Sequence, residues 1–115
     1  MALPTGRYPV VLLWAVRRPS GKGWDIEFLL TETGEREQAF VFNKDIGFVV
    51  AKGAMMLRGG RFQPGVPEAE QPIVMLSLKF SPKFGSTHVT GSASTGGFLK
   101  IDTRYNGRTF EMEEF

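Results

Sequence analysis

The stretch from Arg7 to Arg18, Arg-Tyr-Pro-Val-Val-Leu-Leu-Trp-Ala-Val-Arg-Arg, is apolar on both sides of an extended chain. At a period of two, Tyr8, Val10, Leu12, Trp14 and Val16 share one face, and Val11, Leu13 and Ala15 share the other. A strand with no wet face must be covered from both sides, which places it inside a closed or strongly coiled sheet rather than on an open edge. Its uninterrupted apolar part, Pro9 to Val16, is far too short to cross a membrane as a helix, which takes about 20 apolar residues. It passes directly into Arg17-Arg18-Pro19 with no small-residue cleavage site, and a single Arg precedes it, so it does not read as a secretory signal.

The next segments supply partners for that strand. Pro19-Ser20-Gly21-Lys22-Gly23 has the chemistry of a turn. Trp24 to Thr31 then alternates, with Trp24, Ile26, Phe28 and Leu30 inward and Asp25, Glu27 and Thr31 outward. Thr33-Gly34 makes a second turn, and Arg36 to Phe42 reads as a third strand whose apolar face carries Phe40 and Phe42. Three antiparallel strands in succession form a meander.

Between Asn43 and Leu57 the period changes. Ile46, Val49, Val50, Gly53, Met56 and Leu57 recur at helical spacing, with Asn43 as N-cap, Asp45 in the first turn and Gly59-Gly60 as the stop. Gly47 and Gly53 oppose a helix by about 1 kcal/mol each relative to alanine, and a hairpin turning at Lys52-Gly53 is the competing reading. Gly59 to Pro72, with three Pro and three Gly, reads as a long surface loop. Ile73 to Phe80 is a strand facing the core with Val74, Leu76, Leu78 and Phe80. After Ser81-Pro82, a short strand at 87–90 leads into the small, flexible run Gly91–Gly97, and Phe98 to Tyr105 forms a further strand. Asn106-Gly107 is type I′ hairpin chemistry, leading to a last strand from Arg108 to about Met112. The expectation is one mainly-β domain over 1–112, a small antiparallel barrel with a long loop at 59–72, followed by a short acidic, aromatic tip at 113–115.

Chemistry-bearing residues are few. The chain has 115 residues and no cysteine, which removes disulfides, thiolate metal sites and cysteine nucleophiles and fits a reducing, cytoplasmic setting. His88 is the only histidine and has no acid beside it in the sequence, so it reads as a structural or surface residue. Asp25 and Glu27 share a strand face and read as its solvated side rather than an acid–base pair. Arg58-Gly59-Gly60-Arg61 lacks the lysine and spacing of a phosphate-binding loop. No enzymatic activity, metal or cofactor is expected.

Charge points toward binding instead. Residues 1–108 carry a formal +5, and Thr109–Phe115 carry −3 with no basic residue. Basic residues stand beside aromatics near the turns: Lys22 with Trp24, Arg61 with Phe62, Lys79 with Phe80, Lys83 with Phe84, and Arg104 with Tyr105. Cations can follow a phosphate backbone while aromatic faces stack unpaired bases. The candidate phosphate contacts are Arg17, Arg18, Lys22, Arg58, Arg61, Lys79, Lys83 and Lys100. The candidate stacking residues are Trp24, Phe62, Phe84 and Tyr105. Phe28, Phe40, Phe42 and Phe80 are assigned to the core.

Three strands, a helix and then further paired strands resemble the element order of the oligonucleotide- and oligosaccharide-binding (OB) barrel, whose helix lies between strands three and four. The terminal residues Glu111 to Phe115 resemble the acidic, phenylalanine-tipped tails of bacterial and phage single-stranded DNA-binding proteins. That resemblance implies sequence-independent binding of single-stranded nucleic acid, most of all DNA, and docking of a replication or repair protein through Glu113, Glu114 and Phe115. The family tail follows a disordered linker, whereas this one follows a hairpin directly. The alternative is a β-rich structural or protein-interaction protein, such as a viral assembly component or an inhibitor of a host complex. A homodimer through the exposed last strand is open in either reading.

Overall fold

The sheet closes on the doubly apolar first strand, β1 (Gly6–Arg17). Residues 3–102 and 107–111 are described by the computed structural model of the chain. After β1 come β2 (Trp24–Leu30), β3 (Arg36–Val41), α1 (Asn43–Lys52), β4 (Met55–Arg58), β5 (Arg61–Pro64), a 3-10 turn at Glu68–Glu70, β6 (Pro72–Ser81), β7 (Ser86–Asp102) and β8 (Gly107–Glu111). β1 pairs with β2 along most of its length and with β6 through Gly6–Val10, and its far end meets β5 at Ala15 and Val16. The ring β1–β2–β3–β7–β6–β1 is a five-stranded OB-like barrel, with α1 between the third and fourth barrel strands. Neighbouring strands run antiparallel except at the β3–β7 seam, where Phe40 pairs with His88 in parallel. A ring of five strands cannot alternate direction all the way round, so the wholly antiparallel barrel of the sequence reading acquires one parallel seam.

The two apolar faces of β1 enter two different cores. Val10, Leu12 and Ala15 join Ile26, Phe28, Val41, Val74, Leu76, Leu78 and Val89 inside the barrel. Val11 packs with Leu29, Ile73 and Leu99 in a second cluster on the outside. The register skips one residue between Leu12 and Trp14, a bulge at Leu13 that exchanges the faces. Trp14 therefore leaves the side it was expected to share with Leu12 and stands opposite Glu27 on the barrel's exterior.

α1 is a helix, and the hairpin turning at Lys52-Gly53 does not form. It ends at Lys52, earlier than the sequence spacing implied. A Cβ on Gly53 would lie 2.5 Å from Leu12 Cδ1, so the glycine lets the helix end press on β1. Ala54, at φ 52°, reverses the chain, and Met56 and Leu57 fall on β4 instead of the helix face. Asn43 does not cap the helix: Phe42 occupies that position, and Asn43 Nδ2 donates to the Gly21 carbonyl at 2.8 Å. Gly59 and Gly60, expected as a helix stop opening a long loop, have φ of 59° and 82°. Two residues at positive φ are what a tight type I′ turn requires, and they join β4 and β5 into a hairpin where a loop was anticipated.

Gly91–Gly97 is likewise not a flexible run between two strands but the middle of β7. Register skips opposite Ser77–Leu78 and Pro72–Val74 bend this strand, and small side chains tolerate the curvature. β8 pairs antiparallel with the end of β7 from Phe98–Glu111 to Asp102–Gly107, as a final hairpin demands. Tyr105, Asn106 and residues 112–115 lie outside the described residues. Among the described residues no helix is long and apolar enough to cross a membrane.

Candidate nucleic-acid interface

The site begins with a reversal of parity on β3. Ala39 and Val41 are 6% and 0% exposed, so they supply the core face. Phe40 and Phe42 consequently point outward, and Phe42 is 41% exposed. Their assignment to the core is thus corrected for both; Phe28 alone of the four is fully buried, while Phe80 is half-buried. Strict alternation shows that two faces exist but not which is covered, and here the larger side chains lie outside. The pairing with β2 decides it, because Ile26 and Ala39 face each other inside the barrel while Asp25 and Phe40 face each other outside.

Cross-strand pairing then extends one exterior row around the barrel. Arg58 is opposite Arg61, Arg61 opposite Val16, Val16 opposite Asp25, Asp25 opposite Phe40, Phe40 opposite His88, and His88 opposite Lys79. Directly paired residues share a face, so this row is a belt with cations at both ends and aromatic rings toward the centre.

Local contacts hold its middle in place. Arg18 lays its guanidinium 4.5 Å from the Phe40 ring centroid and bonds Asp25 Oδ1 through Nε at 3.0 Å and Nη2 at 2.9 Å. Phe40 and Phe42 meet edge to face at 4.9 Å, and Phe42 and His88 at 5.4 Å. One row further along, Trp14 Nε1 donates to Glu27 Oε2 at 2.6 Å, Arg36 approaches the same oxygen at 3.7 Å, and Arg61 lies 5.4 Å from the Trp14 ring.

Two open cavities meet at Arg18, Phe40 and Ser86. One, about 440 Å³, is lined by Arg18, Phe40, Phe42, Ser81, Phe84, Ser86 and His88. Its walls come from the β1–β2 turn, the end of β3 and the β6–β7 turn. The other, about 410 Å³, runs along the β3 edge between Arg36–Phe40 and Gly85–Thr87, with Asp25 and Glu27 on its floor. The first is aromatic and basic, the second mixed in charge.

Of the residues singled out in the sequence, Arg18, Arg58, Arg61 and Lys79 come together on this belt or beside it. Lys83 and Phe84 sit at its rim on the β6–β7 turn, where the Lys83 ammonium is 5.5 Å from the Phe84 ring and Phe84 is 74% exposed. Arg17 and Lys22 are exposed on the β1–β2 turn, with Arg17 reaching the Gly21 carbonyl at 3.5 Å. Trp24 and Phe62 are placed differently from a stacking platform: half-buried, 5.2 Å apart, they pack against the barrel core. Phe62 pairs with inward-facing Ala15, which draws its ring inside. The backbone of Lys100 pairs with Thr109, at the other end of β7 from the belt. Tyr105 and the tip residues Glu113, Glu114 and Phe115 lie outside the described residues.

Sequence reasoning missed Phe40, Phe42, His88 and Trp14. The available signal was the pair Ala39 and Val41, small enough to fill a narrow barrel that two phenylalanines would overfill. The fold and this face define a small OB-like β-barrel protein with a basic and aromatic exterior belt. No protein-family model, curated protein or solved structure matches the chain.

Proposed function

We propose that the protein binds single-stranded nucleic acid, DNA foremost, across the belt and into the aromatic cavity. One observation carries the reading: Phe42 and Phe84 stand exposed on the same cavity as Arg18 and His88. A soluble domain gains nothing in stability by exposing two phenylalanines around a cation, whereas base stacking on such rings is worth roughly 1–3 kcal/mol per base. The position supports it too, since OB barrels bind oligonucleotides and oligosaccharides on the face of strands two and three, between the loops joining strands one to two and four to five. Here those loops are the turns at 18–23 and 82–85. Arg58 and Arg61 at one end, with Lys79 and Lys83 at the other, suit a phosphate backbone crossing the face. Stacking and phosphate contacts need no catalyst, metal or cofactor.

The test is fluorescence anisotropy with a labelled oligonucleotide over a salt series. Binding that weakens steeply with salt supports the reading, and no binding at 50 mM salt refutes it. A protein-docking role draws on a different observation: Phe48 on α1 and Met56 and Leu57 on the edge strand β4 are exposed. Defined self-assembly in sedimentation, with indifference to nucleic acid, would favour that reading.

A further inference from the structure

The geometry points to a base preference: the mixed-charge cavity selects bases that carry an exocyclic amino group and rejects thymine and uracil. This rests on the nucleic-acid reading above and concerns the same site. Around that cavity stand three carboxylates, Asp25, Glu27 and Glu37, against two guanidiniums, Arg18 and Arg36. A phosphate entering there meets net negative charge, so the chain of a bound strand stays with the flanking cations and turns a base edge inward. Arg18 lines both cavities. A base stacked against Phe42 or Phe84 therefore brings its edge to the Arg18–Asp25 pair.

Asp25 is prepared to receive it. Both bonds from Arg18 fall on Oδ1, and Oδ2 takes no hydrogen bond from the described residues. Gln38 adds an exposed amide to the same wall. An ionised carboxylate only accepts hydrogen bonds. The amino groups of cytosine, adenine and guanine offer such donors, and carboxylate pairing to the cytosine amino group is an established mode of readout. Thymine offers a single N–H between two carbonyl oxygens, and a carbonyl oxygen gives a carboxylate no donor. Binding on this face is thus graded by base and not indifferent to it.

The experiment compares oligomers of 5-methylcytosine and thymine, equal in length and labelled alike, at neutral pH and fixed low salt. The two bases differ by exchange of an amino group for a carbonyl and in the N3 proton. The 5-methylcytosine oligomer is expected to bind at least about fivefold tighter. In Asp25→Ala, whose fold is checked by circular dichroism, the thymine oligomer should bind more tightly through the released Arg18 while 5-methylcytosine loses its acceptor, and the ratio should fall toward one. Equal affinities in the wild-type protein, tighter binding of thymine, or a ratio unchanged in Asp25→Ala would each overturn the inference while leaving single-strand binding intact. Binding of neither oligomer would overturn the functional reading itself, and this inference with it.

Discussion

Phe40 on β3 lies directly opposite His88 on β7, at the one parallel seam of the barrel. That pair closes the ring and also assembles the site. It sets the Phe42 ring against His88, brings Lys79 into line on the far side, and leaves Arg18 to cover Phe40 from the β1–β2 turn. The contact that completes the fold and the contact that organises the exterior belt are therefore the same.

Replacing Phe42 or Phe84 with alanine should weaken oligonucleotide binding by about 1–3 kcal/mol each, or roughly 5- to 150-fold in Kd. Thermal stability should change little, because both rings are largely outside the core. Anisotropy titration beside a melting curve separates the two effects. A large loss of stability with unchanged affinity would show these rings to be structural.

Gly23→Ala should damage fold and site together. A Cβ at Gly23 would stand 2.1 Å from Phe40 Cζ and 2.9 Å from the Val41 carbonyl oxygen. Forcing the backbone apart costs on the order of 1–3 kcal/mol, readable by denaturant unfolding. Adding Phe40→Ala should restore part of that stability, though not all, since the clash with the Val41 carbonyl remains.

The salt dependence of binding should report the belt cations individually. Each phosphate contact on a single strand contributes about −0.7 to the slope of log K against log salt. Arg61→Ala and Lys79→Ala should each flatten the slope by about that amount. Lys100→Ala, at the other end of β7, should leave it unchanged. A uniform effect of all three would mean that net charge, not the belt, attracts the ligand.

Truncation after Met112 removes two carboxylates and the terminal phenylalanine from a chain whose first 108 residues carry +5. Affinity for a polyanion should rise at low salt. The gain should shrink as the screening length falls from about 30 Å at 0.01 M to about 8 Å at 0.15 M. Comparing full-length and truncated protein across that range measures it.

Much of the barrel was legible locally. The limits of β1, β2, β3 and β6 follow from apolar alternation and from the turns at Pro19–Gly23 and Thr33–Gly34. Gly59-Gly60 was recognised as punctuation, but whether a glycine pair stops a helix or turns a hairpin depends on φ, which composition does not carry. Gly91–Gly97 reads as a flexible run because small residues have weak strand propensity. Pairing with β6 overrides that propensity and uses the small side chains for curvature.

The candidate site divides in the same way. The sequence by itself determined a mainly-β chain with a first strand apolar on both faces, a change of period after the third strand, and cations beside aromatics at the turns, because these depend on near neighbours. Only the tertiary structure decided which face of each strand is wet, since a period of two is symmetric and a one-residue bulge such as Leu13 exchanges its sides. It turned Phe40 and Phe42 outward, drew Phe62 inward, and joined Arg58, Arg61, Phe40, His88 and Lys79 in one row. Those residues are far apart along the chain, and it is the closure of the ring that makes them neighbours.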